Sequence, residues 1–91
     1  PNSYDNKILL ITSINDYLEG LVTDQLLDSK ATNSAYIDID AQRAYLNTAG
    51  VDTGSLNEQQ IKEYNTNDKV FLSGTIKPLD AIEDISLVMA I

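Results

Sequence analysis

The chain has no cysteine and no histidine. Without cysteine there is no disulfide and no thiolate nucleophile. Without histidine, the commonest general base and the commonest metal ligand are both missing. Tryptophan is absent, and proline occurs twice in 91 residues. Positive charge is scarce: 6 Lys and Arg stand against 14 Asp and Glu, for a net charge of −8. Phosphate neutralisation needs clustered Lys and Arg, so nucleic acid is not expected as a partner. An anionic membrane surface is excluded on the same ground, and no apolar run reaches the roughly 18–20 residues of a membrane span. No secretory signal and no Asn-x-Ser/Thr sequon is found. This suits a chain that is not exported through an oxidising route.

What is present points to one domain over residues 1–91, with a thin core. The apolar fraction of 43% is compatible with a folded, charged-surface module. Within Asn6 to Asp28, Leu10, Ile11, Ile14, Tyr17, Leu18, Leu21 and Val22 recur at 3- and 4-residue spacing, which predicts a long amphipathic helix. Of these, Ile11, Ile14, Leu18 and Leu21 are the expected core. Thr12, Asn15, Asp16, Glu19 and Thr23 fall on the other side. Asn2, Ser3 and Asp5 are candidate caps. Ile8, Leu9, Leu26 and Leu27 lie off the stripe and need cover, either from other segments or from a partner.

Ala35 to Ile39 reads as a short extended piece. Asp40 then caps a helix over Ala41 to Thr48, which Gly50 ends. Ser55-Leu56-Asn57-Glu58 reads as a capping box opening a short helix to about Tyr64, with Ile61 and Tyr64 facing inward. Asn65 to Asp68 is a turn. Lys69 to Lys77 reads as a strand with Val70, Leu72 and Ile76 on one face, and Pro78 interrupts it. A last strand follows, in which Ile85, Leu87, Met89 and Ile91 alternate with Ser86, Val88 and Ala90. The fold class expected is α+β: helices packed on a small sheet drawn mainly from the C-terminal third.

Carboxylates are the only abundant reactive groups. Asp38 and Asp40 share a face if extended, but lack the calcium-loop spacing and its glycine. Asp80, Glu83 and Asp84 read as solubilising charges guarding an apolar strand. Gly50, Gly54 and Gly74 form no phosphate cradle. Ser13, Ser55 and Ser86 have no base to activate them. Tyr17, Tyr45 and Tyr64 fall on apolar helix faces and are expected in the core. Neither catalytic residues nor cofactor or metal ligands are expected.

The least ordinary feature is Ile85-Ser86-Leu87-Val88-Met89-Ala90-Ile91, which has no charge, no proline and no glycine. Left as an open edge it is an aggregation hazard. It is either a central strand of its own sheet or a strand that pairs with a neighbouring subunit.

With these residues in view, the chain resembles the C-terminal region of contractile phage tail sheath proteins. Lys7 to Leu21 is similar to the amphipathic helix that precedes the last strands of that family. Tyr36 to Leu46 is similar to a variable insertion in one of its branches. Asn65 to Leu72, then Ile76 to Ile85, resemble its closing strand, bridge and final strand. The resemblance implies the C-terminal domain of a longer subunit, stacked with other copies of itself around a tail tube in the virion and assembled in the host cytoplasm. It implies assembly by strand addition: Ile85, Leu87, Val88, Met89 and Ile91 in the exchanged strand, Val70, Leu72 and Ile76 in the receiving one. An acidic module docking a basic partner is the alternative, and a small enzyme using carboxylates alone is the third. Salt weakens a charge-driven complex steeply and strand exchange little.

Overall fold

The computed structural model describes residues 3–91, so the candidate cap Asn2 lies outside the described residues. Helix α1 spans Tyr4–Thr23, two residues earlier at its start than expected and five shorter at its end. Ser3 caps it, its side chain accepting from the Asn6 amide at 3.4 Å. The end is a Schellman motif with glutamine in the glycine position. Gln25 takes φ of 61°. The Leu26 amide bonds the Leu21 carbonyl at 2.9 Å and the Gln25 amide bonds the Val22 carbonyl at 3.0 Å.

The buried face of α1 is rotated from the expected stripe. Lys7 and Leu18 are buried, Ile11, Ile14 and Asn15 half-buried, and Tyr17 is 68% exposed. Tyr17 is thus no core residue, and Asn15 is not on the solvent side. Leu21 is half-buried. Of the off-stripe residues, Leu27 is buried by its own chain through a bridge to Pro78, while Ile8, Leu9 and Leu26 stay exposed.

Strand β1 is Ser34–Ile37 and helix α2 is Ile39–Thr48. Asp38 is the cap of α2, in place of Asp40. One Asp38 oxygen accepts from the Ala41 amide at 3.0 Å, the other from the Ser73 hydroxyl at 2.7 Å. That second bond comes from a distant strand and decides between the two aspartates. A 3₁₀ turn, Thr53–Ser55, capped by Asp52, absorbs Ser55. The capping box of helix α3, Glu58–Glu63, is therefore Asn57 with Gln60 and not Ser55 with Glu58. Ile61 is buried as expected. Tyr64 takes the extended C-cap conformation and is 40% exposed, so it does not face inward.

Strand β2 is Phe71–Ile76 and β3 is Ile85–Ala90. The sheet is antiparallel in the order β1-β2-β3, with β2 central. Helix α1 crosses one face, chiefly over β1. There Tyr4, Leu10, Ile11, Ile14 and Met89 pack on a buried cluster of Ile37, Val70 and Leu72. The class is α+β.

Candidate functional site

In an antiparallel ladder each residue turns its N–H and C=O to one side only, alternating along the strand. The Asp38 amide bonds the Phe71 carbonyl at 2.9 Å, so Phe71 and its alternates Ser73 and Thr75 face β1. Val70 and Ile91 exchange both of their backbone bonds at 2.9 Å, so Val70 and its alternates Leu72, Gly74 and Ile76 face β3. On β3 this engages Ile85, Leu87 and Met89 with β2. The backbone groups of Ser86, Val88 and Ala90 point away from the sheet, and all three residues are exposed. This is a bare edge with no charge, proline or bulge to blunt it.

The opposite edge is treated differently. By the same alternation Ala35 of β1 turns its groups outward, and the Asn15 side chain meets both of them. The Asn15 carbonyl oxygen accepts from the Ala35 amide at 2.7 Å, and its amide donates to the Ala35 carbonyl at 3.2 Å. A side-chain amide from α1 thus stands where the next strand's peptide group would be. Its position on the helix, four residues after Ile11 and three before Leu18, was the available signal.

The sequence-predicted residues of the last two strands come together. Val70 is 5% exposed and Leu72 0%, with Ile76 half-buried. Against them lie Leu87 and Met89, half-buried. Ile85, Val88 and Ile91 remain 47%, 77% and 62% exposed. Val88 lies on the face away from α1, while Ile85 and Ile91 share the α1 face but extend past its cover. Gly74 is needed where it is: a Cβ there would stand 2.5 Å from the Ser34 carbonyl oxygen.

The polar groups elsewhere are tied to the fold. Lys7 is 1% exposed and donates to the Tyr64 carbonyl at 2.6 Å and the Lys62 carbonyl at 3.5 Å, at the end of α3. Burial pushes its pKa down to about 8. Gln42, also buried, donates to the Ile61 carbonyl and, at 3.3 Å, to that of Lys62. Asp28 and Lys77 pair at 2.8 Å, and the hydrogen bond from Lys77 lowers the Asp28 pKa. The Ala41 amide, then the Ser73 hydroxyl, hold the Asp38 pKa below the ordinary carboxylate value. An open groove of about 560 Å³ beside α2 is lined by Asp38, Asp40, Arg43, Glu58 and Lys62, charges of both signs. Asp38 and Asp40 serve there as a cap and as the exposed partner of Arg43. Among the described residues no three acidic side chains gather as a metal site.

No family model matches the chain. A tail sheath protein of Clostridium phage phiCD119 is 38% identical to it over 87 residues. The match covers 96% of this chain and 24% of that protein, so the chain spans about a quarter of its curated relative. The resemblance read from the sequence therefore stands: over nearly its whole length, this chain is similar to part of a phage tail sheath protein.

Proposed function

We propose that this chain is a non-enzymatic assembly domain, the C-terminal domain of a contractile tail sheath subunit, and that it links subunits by strand exchange. In this reading the segment Ile85 to Ile91 leaves its own sheet and takes the same place on β2 of a neighbouring copy. Val70, Leu72 and Ile76 receive it.

The carrying observation is that β3 is held by its backbone to one strand alone. It ladders only with β2, Met89 is its one side chain packed on the core cluster, and no side chain hydrogen-bonds to it among the described residues. In this reading the connection from Lys77 to Asp84 is the hinge. Asp80 sits at φ of 67°, a strained value for a residue with a side chain, and Ile82 is 95% exposed. An exchanged strand makes the same backbone bonds in the neighbour as at home, so exchange loses no hydrogen bonding. Similarity to a tail sheath protein supports other copies as the partners and the virion tail as the location.

The register supplies the test. Thr75 and Ser86 face each other as a pair without mutual backbone bonds, a spacing that a disulfide spans. The chain has no other cysteine. Thr75→Cys in one copy and Ser86→Cys in another should form a mixed disulfide in assembled material. Bonding confined to the doubly substituted chain, with none between copies, sinks the exchange.

A further inference from the structure

A strand that leaves its sheet pulls on the chain behind it, and something must stop the opening from running on into β2. We propose that the loop after α1 clasps Lys77, so that the chain as far as Leu79 stays with its own domain and the departing arm pivots at Asp80. This rests on the strand-exchange reading and adds to it the point where the exchanged piece begins.

The backbone groups and the ammonium of Lys77 all meet that loop. The Lys77 amide donates to the Asn33 side-chain oxygen at 2.8 Å, and the Lys77 carbonyl accepts from the Asp28 amide at 2.8 Å. The ammonium donates to one Asp28 carboxylate oxygen at 2.8 Å, in a half-buried ion pair. The loop is tied to itself as well. The Asn33 side-chain amide donates to the Asp28 carbonyl at 2.8 Å, and the other Asp28 carboxylate oxygen accepts from the Lys30 amide at 2.9 Å. One step on, Leu27, 5% exposed, bridges to Pro78, and the Leu79 amide donates to the Leu26 carbonyl at 3.1 Å.

Past Leu79 the fastening stops. Among the described residues, 80–84 make one hydrogen bond, from the Ala81 amide to the Pro78 carbonyl at 3.0 Å, which closes a local turn. Asp80 holds the third position of that turn at φ of 67°, where glycine is the usual residue. An extended arm does not need this conformation, so departure relieves it. The clasp also limits reach. From Leu79 to Ile85 an extended chain spans about 20 Å. Ile85 pairs with Ile76, so a neighbour receives the strand only where its Ile76 lies within about 25 Å of the donor's Leu79.

Lys77 and Asn33 are thus positioning residues of the exchange. Native-state hydrogen exchange on the dilute 91-residue chain tests this. The Leu87 and Met89 amides should open together, and the Asp28 and Leu79 amides should be protected at least about tenfold more. Lys77→Met with Asn33→Ala leaves the acceptors of the Asp28 and Leu79 amides in place, yet both should fall to the level of β3. The Ala35 amide, held by Asn15, should not change. Lys77→Arg keeps the ion pair and should keep the boundary. Asp28 and Leu79 amides that open with β3 in the wild type overturn the proposal. So does a double variant that lowers Ala35 by the same factor, since the cluster is then ordinary stability. If the double variant does not fold, the wild-type comparison decides alone. The measurement needs a single copy, so the two failures are distinguishable: a Thr75–Ser86 cross-link between copies without the boundary refutes the clasp, and the boundary without that cross-link refutes the exchange.

Discussion

The two edges of this sheet are built on opposite plans. On the β1 side the Asn15 side chain holds the backbone of Ala35, while Lys7 and Gln42 tie the helices to the carbonyls of Tyr64 and Ile61. On the β3 side, among the described residues, no side chain does so. Helix α1 lies chiefly over the first side, and the buried cluster runs from Ile37 of β1 to Val70 and Leu72 beside it; the second side exposes Ile85, Val88 and Ile91. In so small a domain a protected edge is a stability element, and an unprotected apolar one is a place for another chain. The contrast predicts that substitutions on the two sides separate: stability on one, association on the other.

Leu72→Ala should give the largest effect. Leu72 is 0% exposed, on the central strand β2 and in the core cluster. Truncation leaves a cavity that the packed α1 cannot fill, and a loss of about 3 kcal/mol is expected from urea unfolding. In a 91-residue domain that is a large share of total stability. A loss under about 1 kcal/mol would mean that the closed side is not the core.

Lys7 comes next. In the unfolded chain its amine titrates near 10.5 and in the fold near 8, because burial disfavours the charged form. Between these values the unfolded chain holds more protons, so stability rises with pH from about 8 to 10.5 and is flat above. Below about 8 both states are protonated and the burial cost is carried in full. Over the window measured below the gain is about 1–2 kcal/mol, less than the whole shift because that window spans only part of the interval between the two values. Urea midpoints at pH 7.5 and 9.5 measure it. Lys7→Met should be pH-independent in this range; a wild type equally flat contradicts the assignment.

These residues also mark what sequence reading can reach. The spacing of Ile11, Ile14, Leu18 and Leu21 was enough to find α1, and the alternation from Ile85 to Ile91 enough to find β3. The rotation of α1 was hidden because Asn15 was counted as solvent-facing and Lys7 was not counted on the buried stripe. Their tails satisfy carbonyls and amides contributed by residues 20 to 57 positions away, which no local pattern reveals. The end of α1 was missed because Gln25 does a job that composition assigns to glycine. Helices α2 and α3 were each placed two residues late or early because each had two good caps. A hydroxyl from Ser73 settled one and the 3₁₀ turn the other. Strand order was beyond reach: alternation gives a strand its faces but not its neighbours, so an edge and a centre read alike.

Val88→Thr is the smallest perturbation and the sharpest comparison. Threonine keeps the branched shape and strand preference of valine, and changes one methyl to a hydroxyl. Val88 is 77% exposed, so the hydroxyl meets water in the single chain and stability should move by no more than about 0.5 kcal/mol. Where another chain covers this edge the same hydroxyl replaces an apolar contact, and association should weaken about threefold. Neither result alone separates the two edges, because a benign surface site gives the first and an unfolded variant gives the second. Their conjunction does: unchanged urea midpoint with weaker pairing requires a residue idle in the monomer and engaged between copies. A loss of stability above about 1 kcal/mol would instead put Val88 inside the fold, and the distinction between a closed and an open edge would fall with it.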